Sequence, residues 1–306
     1  MSIKIIEAPA LRWININHVD QETIRYLKEN FSFHHLDLED IQEESQTPKI
    51  DVYKNYLFLV LHFPQWHGGT ATITAQEIDI FIGDGFLITI QHTKSKEIKN
   101  FFYRCMKNRN VKREWMNNDS GYLLYRIIEA LFSNSQPIIN HVAKKISSVE
   151  QEIFQDQPDT GVIYELALLR RNILNFRRIL DPERYLIGTL AHTRKPFLNE
   201  ETSLYFDNVS DYLTKLWAIV DSYKETIQGL HITVESLINR RINKIVSTLT
   251  VISVSLLPFT VLSSIYGMNI VGLPGADRPV WVWTIFGTMA VIVIGIIYNL
   301  KKRRWL

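Results

Sequence analysis

Residues 245–265 read IVSTLTVISVSLLPFTVLSSI, and the next four residues read YGMN. This run of 21 residues carries no charge, and residues 280–298 form a second uncharged run of 19. A helix needs about 20 apolar residues to cross a bilayer, so both runs are long enough to span one. Buried core helices are the alternative, but they are usually shorter and carry more polar residues. The sequence therefore predicts two transmembrane helices, at 245–269 and 280–300, joined by an outer loop at 270–279.

The charges beside the two spans predict their orientation. Short cytoplasmic loops of membrane proteins carry an excess of Lys and Arg, and the basic residues lie before the first span and in a tail at 301–306: Arg240, Arg241, Lys244, Lys301, Lys302, Arg303 and Arg304. The loop between the spans holds only Asp277 and Arg278. We therefore expect a multi-pass protein of the inner cell membrane with both termini in the cytoplasm.

The first two-thirds of the chain are predicted to lie in the cytoplasm. Its N-terminus lacks the long apolar stretch of a signal peptide, and the single cysteine, Cys105, excludes a disulfide framework. The 34 basic and 32 acidic residues of the whole chain nearly balance, so the total charge does not indicate a nucleic-acid partner.

A seam of residues alternating in steps of three and four precedes the first span and predicts a stalk helix at 201–244 that continues into the membrane. Pro258, inside the span, is expected to bend the helix locally. The seam consists of Leu213, Leu216, Val220, Tyr223, Ile227, Leu230, Val234, Leu237 and Arg241.

Residues 1–120 have α/β character and residues 121–200 read as a helical arm. Runs at 11–15, 54–63, 77–82 and 86–91 are rich in strand-forming residues, with helical pieces near 20–30 and 36–44 between them. The arm is predicted to be helical from Tyr122 to Leu180, with interruptions at Pro137 and Pro158, and to end at Pro182. The predicted fold class is an α+β membrane protein: an N-terminal α/β cytoplasmic domain, a long helical stalk and two C-terminal transmembrane helices.

No motif in the sequence indicates an enzyme. A phosphate-binding glycine loop, an HExxH pair and a GxSxG elbow are all absent from the sequence. His34–Asp40, read HHLDLED, is the densest cluster of metal-ligating or acid–base residues. Its acids are typical of the first turn of a helix, which is the interpretation we favour over a metal or proton-transfer site.

The first span carries small polar residues at helical spacing on one face. The stripe runs through Asn243, Val246 or Ser247, Thr250, Ser253 or Val254, Leu257, Thr260 and Ser264, and it reaches Gly267. It favours a pore lining. The alternative is that the hydroxyls bond back to their own helix or pack against a neighbour, as often happens in membrane helices. Two helices cannot enclose a water-filled path alone, so transport would require several copies around an axis.

These features together resemble the CorA-type magnesium transport family. The Gly267-Met268-Asn269 triplet stands at the outer end of the first of two C-terminal spans, which is the family's defining motif. The cytoplasmic segments 35–41, 48–50, 56–61, 86–89 and 122–125 and the basic tail also match, so the resemblance covers the whole chain.

The resemblance implies a homopentamer that admits hydrated Mg²⁺ passively, with Co²⁺ or Ni²⁺ as surrogates. Tyr266, Gly267, Met268 and Asn269 would form the selective mouth, where the Asn269 side chain and the Gly267 carbonyl would hold the hydrated ion. Matched by distance from the triplet, the pore-facing positions would be Asn243, Val246, Leu249 or Thr250, Ser253, Leu257 and Thr260. Leu257 and Val246 would then be apolar constrictions.

Two departures from the family pattern leave alternatives open. Asp207 and Asp211 could belong to a regulatory Mg²⁺ site, but Asn208 stands where a familiar acid would lie and residues 65–70 carry no acid. The neutral segment 270–275 resembles the loop of the zinc-transporting branch. Zinc transport is therefore one alternative function, and a membrane-tethered scaffold without transport is another.

Overall fold

The computed structural model describes residues 3–43, 47–116, 119–155, 160–269 and 279–302. The chain divides into two compact units, residues 1–230 and residues 231–306. The first unit contains both the predicted α/β domain and the predicted helical arm. Residues 270–278 of the predicted outer loop and residues 303–306 of the tail lie outside the described residues.

A six-stranded mixed sheet organises the first unit, in the order β1-β2-β6-β5-β4-β3. The strands are β1 (Ile3–Glu7), β2 (Arg12–Ile16), β3 (Lys49–Val52), β4 (Tyr56–His67), β5 (Thr72–Gly83) and β6 (Phe86–Gln91). β2 pairs with β6 in parallel, and the other neighbours pair antiparallel. The four strand-rich runs of the sequence correspond to β2, β4, β5 and β6, whereas β1 and β3 had not been predicted.

Helices cover both faces of this sheet. Alternate residues of the central strands, such as Phe58 and Phe81, are buried in a core with Leu27 of α1 (Gln21–Asn30) and Leu38 of α2 (His35–Asp40). On the other face Trp13 packs edge-on against Phe102, with ring centroids 4.8 Å apart. The helices that follow are α3 (Lys96–Lys107), α4 (Arg109–Met116), α5 (Ser120–Ser133), α6 (Ser135–Gln155) and α7 (Thr160–His192).

Side-chain caps explain where several of these helices begin. Asp20 accepts from the Thr23 N–H at 2.7 Å, and Asp119 accepts from the Tyr122 N–H at 2.8 Å. Each bond satisfies one backbone donor that the first helical turn leaves without a partner.

The prediction that the arm helix ends at Pro182 is wrong, because α7 continues through it to His192. An internal proline costs about 3 kcal/mol, but α7 is fixed to the core on both sides of it by the fully buried Leu180 and Ile187. The buried carboxylate of Glu183 also accepts from the His62 N–H of β4 at 2.6 Å. Tertiary packing therefore outweighs the local preference at this position.

A single helix of 67 residues, α8 (Glu200–Tyr266), confirms the predicted continuous stalk and first span, and it includes Pro258. In the first unit its seam residues Leu213, Leu216 and Val220 are buried. Their helix packs against α7 of the same chain, where Arg177 lies 3.2 Å from Asp221. The second predicted span is α9 (Pro279–Lys302).

Candidate ion pathway

The second unit contains two helices that are long and apolar enough to cross a membrane. They are the C-terminal part of α8 and residues Val280–Asn299 of α9, and the residues of their most apolar windows are not buried inside the chain. A pair of core helices would be buried, so the alternative considered from the sequence does not describe them.

One face of α8 in this unit is partly covered by α9. The rings of Phe259 and Phe286 lie 6.2 Å apart between centroids. Residues at spacings of three and four from Phe259 are also partly covered, namely Val251, Ser255, Leu262 and Tyr266. This is therefore the face of α8 that lies toward α9.

The predicted lining stripe lies on a different face of α8. Asn243, Val246, Thr250, Ser253, Leu257, Thr260 and Ser264 are all exposed in the single chain. At about 100° per residue, this stripe is turned roughly 170° around the helix from the face that α9 covers. The hairpin thus leaves the whole predicted stripe free to face water or further copies of the chain.

Two hydroxyls of the stripe donate hydrogen bonds to their own helix, as the alternative to a pore lining predicts. Thr250 donates to the Val246 carbonyl at 2.8 Å, and Thr260 donates to the Leu256 carbonyl at 3.1 Å. A hydroxyl that donates to its own helix keeps lone pairs as acceptors. Bonding back to the helix is therefore compatible with offering oxygen atoms to a passing hydrated cation.

The mouth motif begins where α8 ends. Gly267 donates its N–H to the Ser263 carbonyl at 2.9 Å, and Met268 donates to the Ile265 carbonyl at 3.3 Å. A Cβ atom at Gly267 would lie 2.9 Å from the Ser263 carbonyl oxygen, so a larger residue would displace this helix end. Gly267, Met268 and Asn269 are all exposed, while Tyr266 is partly covered.

The predicted regulatory acids lie one helical turn apart near the start of α8. Asp207 is partly exposed and Asp211 is exposed. Within the described residues, neither belongs to a group of three or more clustered metal-ligating side chains. Their regulatory role stays a prediction.

The acidic cluster at 34–40 is a structural feature of the first unit. His34 caps α2 by accepting from the Leu36 N–H at 3.3 Å, and the buried Asp37 accepts from the hydroxyls of Tyr53 and Tyr56 at 2.8 and 2.7 Å. These tyrosine partners come from a later segment and were not predicted from the sequence.

Asp40, the last acid of this cluster, belongs to an ion-pair network. Lys49 Nζ bridges Asp40 at 2.6 Å and Asp51 at 2.7 Å. Burial alone would lower the Lys49 pKa, but these two carboxylates raise it above its ordinary value. Since a lysine ammonium already occupies the position between the two carboxylates, the favoured structural interpretation is supported.

A family model described as "CorA-like Mg2+ transporter protein" matches residues 9–302, nearly the whole chain. The chain belongs to the CorA family. Members of this family are ion transporters with Mg²⁺ as a substrate, and they are not enzymes. The chain is therefore a divalent-cation transporter, and its two C-terminal apolar helices belong in a membrane.

Individual CorA relatives extend over the same length. The cobalt/magnesium transport protein CorA of Thermotoga maritima is 25% identical over 298 residues, covering 96% of this chain and 83% of that protein. The zinc transport protein ZntB of Yersinia pestis is 22% identical over 296 residues, covering 96% and 88%. The structure of the CorA magnesium transporter from Methanocaldococcus jannaschii matches with a TM-score of 0.82 and 21% identity, over 98% of this chain and 93% of that one. The fold predicted from the sequence is thereby confirmed.

Proposed function

We propose that the chain forms a homopentameric pore that conducts Mg²⁺ passively into the cytoplasm, with Co²⁺ and Ni²⁺ as surrogate ions. The observation that carries the proposal is the exposed stripe on α8, which α9 leaves uncovered and which leads to Gly267, Met268 and Asn269. A hairpin that only tethered the protein would not need small polar residues on its open face.

The chemistry of the mouth suits a hydrated dication. Mg²⁺ loses its water reluctantly and is usually bound with several waters in place. The Asn269 amide and the Gly267 carbonyl are neutral oxygen ligands that could hold such an ion through its water without trapping it. With both termini in the cytoplasm, a membrane potential of about 100 mV would supply roughly 4.6 kcal/mol for a doubly charged ion. ATP is then not required for influx.

Flux through reconstituted liposomes tests the choice of ion. Protein in vesicles containing a Mg²⁺-sensitive or a Zn²⁺-sensitive dye is exposed to each ion under an imposed potential. We expect Mg²⁺ entry that increases with the inside-negative potential. Entry of Zn²⁺ alone would replace the proposal with zinc transport, for which the similarity to ZntB is the supporting observation.

The mouth and the lining are tested by separate variants. Asn269→Ala should abolish most Mg²⁺ flux, whereas Asn299→Ala, at the end of α9, should not change it. Unchanged uptake by Asn269→Ala would favour a membrane-tethered scaffold.

Leu257→Ala and Leu256→Ala form a matched pair on α8, because their exposed fractions are 61% and 58% and they point about 100° apart. If Leu257 forms an apolar constriction, only Leu257→Ala should raise the flux. Equal effects of both variants would contradict the proposed lining.

The regulatory role of Asp207 and Asp211 is part of the same proposal. In a flux assay with increasing Mg²⁺ inside the vesicle, Asp207→Asn with Asp211→Asn should delay closure if these acids bind the ion. An unchanged inhibition curve would remove them from the regulatory site.

A further inference from the structure

Three neighbouring strands of the sheet carry matching rows of side chains on the face that packs against α1 and α2. The first row is Phe58, Phe81 and Ile88, which are buried apolar residues in register across β4, β5 and β6. Two residues further along, Val60 and Ile90 flank Asp79. Along β5 this face of the sheet therefore changes from apolar at Phe81 to polar at Asp79.

The next row consists of titratable residues. His62 on β4 is the register partner of Glu77 on β5, and His92 directly follows β6 on the other side of Glu77. Their side chains are in contact: His62 Nε2 lies 3.1 Å from Glu77 Oε2, and His92 Nε2 lies 3.4 Å from Glu77 Oε1. His92 Nε2 is also 2.8 Å from Asp79 Oδ2.

The two carboxylates of this group are almost completely withdrawn from water. The Asp79 side chain is 1% exposed and the Glu77 side chain 8%, while His62 and His92 retain 12% and 11%. The group therefore places up to two negative charges in the interior. Such charges are stable in an interior only when they are paired or bound to a metal.

Asp79 shows directly that this pairing is incomplete. Its Oδ1 atom is buried and has no hydrogen-bond partner among the described residues. A buried oxygen that lacks a partner has lost its hydration without compensation, so the carboxylate has unused capacity for a cation.

The geometry points to a binding site for a divalent transition metal such as Zn²⁺, with Glu77, Asp79 and His92 as ligands. One donor atom from each of these three residues lies within 4.8 Å of the other two. In a tetrahedral zinc site with bonds of about 2.0–2.1 Å, neighbouring ligand atoms are roughly 3.3 Å apart. The two measured separations from His92 Nε2, 2.8 and 3.4 Å, bracket that value.

His62 is a positioning residue in this site. It contacts the second oxygen of Glu77 and so fixes the orientation of that ligand. Loss of such a contact typically lowers metal affinity by roughly 10- to 100-fold.

The donor set distinguishes this site from one for the transported Mg²⁺. Imidazole nitrogen suits zinc, cobalt and nickel, whereas Mg²⁺ prefers oxygen ligands and keeps several waters that a buried site would have to remove. A bound dication would balance the two carboxylates. The site lies within the first unit, so it does not depend on the proposed pore.

Metal binding by the purified full-length protein in detergent tests the inference. The protein is freed of metal with a chelator, the chelator is removed, and Zn²⁺ is titrated in excess Mg²⁺ by equilibrium dialysis with elemental analysis. We expect one Zn²⁺ per chain in the wild type that Asp79→Asn and His92→Gln lose. His62→Gln should bind it with about 10- to 100-fold lower affinity.

His67→Gln is the matched control, because His67 lies on the same strand β4 with an exposed ring that contacts Thr74. It should bind Zn²⁺ like the wild type. Equal Zn²⁺ binding by the wild type and Asp79→Asn, or equal loss in His67→Gln, would overturn the site.

The wild type alone provides a second readout that does not require folded variants. Co²⁺ in place of Zn²⁺ should give the intense visible absorption of a four- or five-coordinate site. The weak spectrum of six-coordinate Co²⁺ would overturn the assignment.

Discussion

Asn172→Ala tests how the helical arm is fixed to the sheet. Asn172 is 1% exposed on α7, and its side chain accepts from the Ile73 N–H at 3.1 Å and donates to the Ala71 carbonyl at 2.8 Å. Ile73 lies in the part of β5 that precedes Ile78, where the pairing with β6 begins. The Asn172 amide therefore takes the place of a missing strand partner.

Alanine would leave one buried N–H and one partly buried carbonyl without these partners. At about 1–3 kcal/mol for the buried N–H and about 1 kcal/mol for the partly buried carbonyl, the variant should lose roughly 2–4 kcal/mol of unfolding free energy. In a unit of this size, that corresponds to a melting temperature lowered by roughly 5–15 °C. Intrinsic tryptophan fluorescence of the purified protein during heating measures this change.

Two further variants calibrate the result. Asn175→Ala removes a single bond of 3.2 Å to the Ile73 carbonyl and should cost less. Asn140 is exposed on α6, so Asn140→Ala should change the free energy by less than about 0.5 kcal/mol. If Asn172→Ala were as stable as Asn140→Ala, the proposed role of α7 in completing the strand edge would be refuted.

Gly121→Ala should destabilise the protein by about 1–3 kcal/mol in the same assay, because its Cβ would lie 2.5 Å from the Phe197 carbonyl oxygen. Gly229→Ala, where a Cβ meets no heavy atom within 4 Å, should instead stabilise α8 by about 0.5–1 kcal/mol. Burial raises the pKa of Glu183 well above its ordinary value of 4.5. The stability that the protonated carboxyl contributes is therefore present below pH 4.5 and is lost as the pH rises through the folded-state pKa. Glu183→Gln should therefore have a higher melting temperature than the wild type in alkaline buffer and the same melting temperature near pH ~4. Burial also raises the pKa of Cys105 to about 11, so iodoacetamide should label it only after denaturant is added, and rapid labelling of the folded protein would contradict its buried position.

The features that the sequence predicted correctly are those that depend on local patterns. The two uncharged runs lie in the C-terminal part of α8 and in α9, because length and apolarity suffice to define a spanning helix. The seam at Leu213, Leu216 and Val220 is buried as its spacing predicted.

The edge strands of the sheet could not be predicted in the same way. β1 and β3 are short, and most of their residues are exposed or only partly buried. They therefore lack the apolar run by which β4 and β5 are recognised. Their positions depend on pairing with β2 and β4, the next strands along the chain, and not on an apolar pattern of their own.

Predicting the polar group around Glu77 from the sequence would have required the register of β4, β5 and β6. His62, Glu77 and His92 are separated by 15 residues in each step, and only the antiparallel pairing brings them together. One signal was present in the sequence, since Asp79 is the one charged residue in the apolar run at 78–82. An acid in such a position must find a partner, but the sequence does not identify it.

The stretch of α8 that leads to the mouth motif shows why further copies of the chain are expected. Within the described residues, no α8 residue after Val234 is buried, although many of them are large and apolar, such as Ile245 and Leu256. In water, each square ångström of such surface would cost about 25 cal/mol, so these residues require lipid or protein around them. Thr250 and Ser253 gain nothing from lipid. Several copies arranged around an axis would satisfy both requirements, because each could turn its apolar residues outward and its polar stripe toward the centre.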